Sequence, residues 1–114
     1  MSKEVMNQFD EGIYLAEELT TYTDWVEYWM MGLRLKLKPS SMAIYQRTLD
    51  RYLLPAFGDM KLEELTPEVI EKVIGDWAEY LRPTVIFTNL SQLNRSLKAA
   101  LEKELISENP CDMI

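Results

Sequence analysis

Pro39, Pro55, Pro67, Pro83 and Pro110 cut the sequence into segments each long enough for one helix. Proline has no backbone N–H and its ring clashes with the preceding turn, so a helix can start at it but is broken by it further in. Between these breaks apolar residues recur at three- and four-residue spacing, and no stretch alternates convincingly. "RLKLK" (Arg34–Lys38) does alternate, but it is short and lies between two helical patterns, so it reads as a connector. The pattern predicts an all-α domain of four helices arranged as two helical hairpins.

The first helix is expected near Thr23 as N-cap, with Asp24 in its first turn, Trp25, Val26 and Trp29 as its apolar face, and Gly32 as a stop. The second opens at "PSS", capped by Ser40 or Ser41. It carries Tyr45, Leu49, Tyr52 and Leu53 inward until Pro55 blocks it. "AFGDMKLEEL" then reads as a loop, turning at Gly58-Asp59 and anchored by Leu62 and Leu65. The third helix has the clearest start: Thr66 as cap, Pro67 at the first helical position, and Glu68 beside the positive end of the helix dipole. Ile70, Val73, Ile74, Trp77 and Leu81 form its stripe, and Pro83 ends it. The fourth opens at Thr84 and turns Ile86, Leu90, Leu93, Leu97, Ala100 and Leu101 inward. Residues 1–20 are expected to be a flexible acidic leader or linker, with room for a short helix over Glu11–Leu19. Residues 21–110 make the helical domain, and 111–114 begin a linker.

The 114-residue chain contains no histidine, which removes the commonest general base and metal ligand. It also lacks a Walker loop, an EF-hand loop, H-E-x-x-H and G-x-G-x-x-G, so neither a metal nor a cofactor is expected. Cys111 stands alone and reads as an inert thiol in a reducing cytoplasm. No apolar run is long enough to span a bilayer. Trp25, Trp29 and Trp77 read as core, the seven methionines as gap fillers, and Tyr45 and Tyr52 as core-edge residues with surface hydroxyls. A phosphate contact from Tyr45 is the lesser alternative.

The formal net charge of -7 conceals a partition. Met1–Glu27 holds seven acids against one base, and Asp50–Glu79 holds eight acids against three bases. Tyr28–Leu49 has no acid and four bases, and Tyr80–Leu101 has no acid and three. These acid-free windows hold the second and fourth helices, which lie side by side in a four-helix arrangement. Arg47 and Arg51 on one, and Thr88, Ser91, Gln92, Arg95 and Lys98 on the other, are expected to project away from the apolar stripes. Such a surface offers cations to phosphates, and hydroxyls and an amide to backbone or base edges. The helix starts at Ser40 and Thr84 could add N–H groups aimed at phosphate oxygens. Because the whole chain is acidic, affinity for a polyanion should be weak and steeply salt-dependent.

The order of these signals resembles a known family. "TDWVEYWM" leads through a basic connector to "KPSSMAIYQRTL". "YLLPAFGDMKLEELTPEVIEKVI" follows, and "AALEKELISENPCDMI" closes the chain. From Thr21 to Ile114 this is similar to the N-terminal core-binding domain, a SAM-like helical fold, of tyrosine recombinases (phage integrases). Ser41 stands where the family often has Thr, which keeps the hydroxyl. The resemblance implies a domain that clamps duplex DNA together with a C-terminal catalytic domain and with other recombinase protomers. Catalytic Arg, Lys, His-x-x-Arg and Tyr belong to that other domain, and none of the six tyrosines here matches the nucleophile's context. By position, Lys38, Ser40, Ser41 and Arg47 would meet DNA from the second helix. Thr84, Thr88, Gln92, Arg95 and Lys98 would do so from the fourth, with Lys36 a phosphate contact in the connector.

Two other readings compete with this one. A protein-interaction module would use the Met/Trp-rich first helix and the acidic leader to dock a partner. An enzyme working with carboxylates alone would need a convergent, exposed acidic pair, and no spacing in the sequence indicates one.

Overall fold

The computed structural model describes residues 21–114, so the leader expected over 1–20 lies outside the described residues. Four helices carry the fold: α1 (Tyr22–Leu33), α2 (Pro39–Thr48), α4 (Pro67–Ala78) and α5 (Pro83–Glu102). A π-helical segment over Leu49–Leu53 joins α2 to the short α3 (Leu54–Phe57), and 3₁₀ turns cover Leu62–Glu64 and Pro110–Met113. Among the described residues the only extended pairing is a single bridge between Thr21 and Lys61. None of their helices is long and apolar enough to cross a membrane.

Helix α1 starts two residues earlier than the sequence suggests. Thr21 is the cap: its Oγ1 accepts from the Asp24 N–H at 3.1 Å, while its own N–H donates to the Asp24 carboxylate at 3.3 Å. This reciprocal box satisfies two end groups at once. Thr23 is committed elsewhere, donating its hydroxyl to the Gly58 carbonyl at 2.9 Å. Gly32 lies inside the last turn rather than beyond it, since α1 runs through Leu33. "RLKLK" stays wound, because the Lys36 and Leu37 N–H groups both donate to the Leu33 carbonyl at 2.9 Å.

Pro55 does not stop the second helix. The chain widens into the π segment, where the Leu54 N–H reaches back five residues to the Leu49 carbonyl. A wider turn relieves the clash a proline ring imposes on an α-helix. Pro55 then sits in the first turn of α3, where no N–H is needed. Gly58 closes α3 in ordinary helical geometry, so its value is space and not a turn conformation. A Cβ there would lie 2.6 Å from the Leu54 oxygen and 2.7 Å from Thr23 Oγ1.

The core collects Trp25, Val26 and Met30 of α1, Leu49, Leu53 and Phe57 beyond α2, Ile70 and Trp77 of α4, and Leu93, Leu97 and Ala100 of α5. Trp77 receives Tyr52 and Phe57 edge-on, with ring centroids 6.4 and 6.3 Å away. Leu62 and Leu65 are buried as anchors of the connecting loop. The chain beyond Asn109 folds back, and its 3₁₀ turn packs against α4 and α5. Asn109 is buried there, donating to Asn94 Oδ1 at 2.8 Å and accepting from the Cys111 N–H at 3.0 Å. Burial, and secondarily Asp112, pushes the Cys111 thiol up to about 11, which keeps it protonated and unreactive near neutral pH.

Candidate nucleic-acid interface

Both helices of the basic face begin by the same rule. The residue before a proline is driven into extended backbone, so it becomes the N-cap and proline becomes the first helical residue. Lys38 (ψ 153°) and Arg82 (ψ 152°) hold these positions, and neither makes a side-chain cap bond. Ser40, Ser41 and Thr84 therefore lie within the first turns; neither serine caps α2, and α5 opens one residue before Thr84, contrary to the sequence expectation. The rule was already visible at Thr66-Pro67, where Thr66 does cap α4 by accepting from the Val69 N–H at 3.2 Å.

Helices α2 and α5 pack against each other in antiparallel register. Tyr45 meets Gln92 and Arg95, while Arg47 and Arg51 face Thr84 and Thr88. Their N-termini consequently sit at opposite ends of the shared face and do not converge. Arg47, Arg51, Thr84 and Thr88, with Ile44 and Asn89, line one cleft of about 280 Å³. The Thr88 hydroxyl donates to the Thr84 carbonyl at 3.0 Å. Arg47, Arg51, Arg82, Arg95 and Lys98 are all exposed. None of them forms an ion pair with a described carboxylate; the pair found among the described residues is Lys72–Asp76, on the acidic helix α4.

The ten sequence-predicted contacts divide by what the fold does with them. Arg47, Thr84 and Thr88 come together in the cleft. Arg95 is exposed further along α5 and donates from Nη1 to the Tyr45 hydroxyl. Lys38, Ser40 and Lys98 are exposed on the same two helix segments, and Ser41 is half-buried. Lys36 is set apart, in a second groove lined by Trp29, Met31, Leu35, Glu102 and Lys103.

Gln92 overturns its expected facing. Only 6% exposed, it donates from Nε2 to the Tyr45 carbonyl at 2.9 Å, so it ties α5 to α2 and does not project outward. A polar side chain that finds a partner on the neighbouring helix can be buried at little cost. Asn89 and Ser96 are drawn inward on the same side of α5. Arg51, expected on the outward face but absent from the ten predicted contacts, lines the same cleft one helical turn after Arg47. Among the described residues no group of three or more His, Cys, Asp or Glu gathers to hold a metal ion.

The second and last long helices of this all-α domain thus share one cationic, hydroxyl-bearing face. The family model "Phage integrase, N-terminal SAM-like domain" matches residues 21–78, and this chain belongs to that family. It is 28% identical over 90 residues to the protein named as the prophage phiRv2 integrase of Mycobacterium tuberculosis, covering 79% of this chain and 23% of that protein. An integrase of Streptomyces ambofaciens is 24% identical over 117 residues, covering 97% of this chain and 29% of the relative. The chain thus spans about a quarter of the length of these relatives. Among solved structures, the lambda integrase dimer bound to a COC' core site shares the fold. Its TM-score is 0.76 at 14% identity, over 96% of this chain and 31% of that one.

Proposed function

We propose that this chain is the core-binding domain of a site-specific tyrosine recombinase, with residues 21–110 as its folding unit. It grips duplex DNA at the recombination core site, in the cytoplasm, within an assembly of recombinase protomers. Strand cleavage and rejoining are carried out by a separate C-terminal domain. The observation that carries this reading is the union of Arg47, Arg51, Thr84, Thr88 and Arg95 on the α2–α5 face, with no described carboxylate paired to their cations. Free cations beside hydroxyls suit a phosphate backbone, and helix faces suit the major groove. Family membership and the DNA-bound state of the lambda integrase neighbour support the same reading. Lys38, Ser40, Ser41 and Lys98 extend the contact along the two helices, and Lys36 reaches a flanking phosphate. Gln92 serves the interface from inside by fixing the helix pair.

The test is a titration with mixed-sequence duplex DNA at low and moderate salt. Binding is expected to weaken steeply with salt and to fall about tenfold or more on Arg47→Glu or Arg95→Glu. Glu71→Lys, on exposed α4, should leave the effect of those reversals intact. Binding indifferent to both reversals would remove the proposed face. It would favour a second reading, in which exposed Met31 (62%) and Leu35 (88%), beside Trp29, dock a protein partner.

A further inference from the structure

We infer that Tyr45 is a positioning residue that presets the Arg95 guanidinium for a DNA phosphate, an inference that rests on the DNA-binding reading above. Three separate contacts converge on this one residue. Its hydroxyl accepts from Arg95 Nη1. Its carbonyl accepts from Gln92 Nε2 at 2.9 Å. Its ring leans on Trp29 of α1, with centroids 5.9 Å apart and planes 41° apart. Tyr45 is thus the point at which α1, α2 and α5 are set in register.

The two donors are spaced one turn apart on α5, so both can reach the same residue of α2. The Tyr45 carbonyl that accepts from Gln92 lies just before the π segment, and the Leu49 N–H divides itself between it and the Gln46 carbonyl. A carbonyl has two lone pairs, so the helix bond and the Gln92 bond coexist. Gln92 is buried and fixed; Arg95, one turn on, is exposed. The arrangement holds one edge of the guanidinium against a phenol and leaves its remaining N–H donors toward solvent.

Arginine is a strong phosphate ligand because its donors form a rigid fork, but a free side chain gives up much rotamer freedom when it binds. The phenol restricts that freedom before DNA arrives. It does so without neutralising the charge, which a carboxylate partner would do. Tyr45 therefore acts through Arg95, and phosphate contact belongs to the arginine.

The experiment is a double-mutant cycle on the 114-residue chain with Tyr45→Phe, Arg95→Ala and the pair, using a mixed-sequence duplex at fixed low salt. Tyr45→Phe keeps the ring on Trp29 and should leave the melting temperature unchanged. It should weaken duplex binding about three- to tenfold. In the Arg95→Ala background the same change should have no further effect on binding. Rotation of the Arg95 guanidinium, followed by NMR without DNA, should be slow in the parent chain and fast in Tyr45→Phe. Additive losses, or full affinity in Tyr45→Phe, overturn the inference even when the parent chain binds DNA well. Fast Arg95 rotation in the parent chain also overturns it. A parent chain that binds no duplex overturns the functional reading and this inference with it.

Discussion

Helices α4 and α5 pack against each other and are built on opposite plans. Helix α4 buries Ile70 and Trp77, and every charge it carries is on an exposed residue. Helix α5 buries Leu93, Leu97 and Ala100, but also Asn89, Gln92 and Ser96. The first is an amphipathic helix whose inward face is apolar throughout. The second uses its inward face for recognition between helices as well as for exclusion of water. The difference teaches where a hydrophobic pattern suffices: it describes a helix that only needs covering, and it misses one that also buries polar groups, Gln92 and Ser96 bonded to particular neighbours and Asn89 Nδ2 with no partner among the described residues.

The strongest challenge to this contrast is truncation of the apolar helix. Ile70 is fully buried, so Ile70→Ala should lower unfolding free energy by about 2–5 kcal/mol in a denaturant titration. A loss below about 1 kcal/mol would mean that α4 is not packed as described.

Ser96→Ala on α5 tests the polar plan and should cost about 1–3 kcal/mol. The Ser96 hydroxyl donates to the Leu93 carbonyl at 2.8 Å, so the Tyr22 hydroxyl, 2.8 Å away, must be the donor to Ser96. Removing Ser96 Oγ leaves a wholly buried phenol without that acceptor. The Trp25 Nε1 bond to the Ser96 carbonyl, at 2.7 Å, survives because it uses the backbone. The same phenol makes stability depend on alkaline pH. Burial raises the Tyr22 pKa well above the ordinary tyrosine value. A group whose folded pKa is raised contributes fully below its unfolded pKa and loses that contribution as pH rises past it. Stability should therefore hold up to about pH 10 and fall above it, and Tyr22→Phe should flatten that fall.

The smallest effects separate the helix starts. Thr66→Ala removes the side-chain cap of α4 and should cost about 0.5–2 kcal/mol. Ser40→Ala in α2 removes no cap bond and should stay within about 0.5 kcal/mol of the parent. Equal losses at the two positions would restore Ser40 as a cap.

Much of this was legible before any coordinates. The four helices, the Thr66-Pro67 start, the buried tryptophans Trp25 and Trp77, and the choice of α2 and α5 as the basic pair all follow from spacing and charge. The departures have local causes. Pro55 reads as a break because a proline clashes inside an α-helix, and the chain escapes through a π-turn. Thr23 reads as a cap because Asp24 follows it, yet Thr21 forms the reciprocal box with that residue. Gln92 reads as outward because glutamine is usually exposed, and a carbonyl on another helix draws it in.

By itself the sequence determined which segments wind into helices, that Pro67 starts one of them, and which two carry a basic surface. Those are short-range matters, settled by backbone sterics, dipoles and the period of the apolar residues. The tertiary structure alone decided that Arg47 and Arg51 face Thr84 and Thr88, and that Tyr45 joins Trp29, Gln92 and Arg95. Most of those partners are separated by dozens of residues along the chain. Their meeting depends on helix register, which packing selects and no local spacing encodes.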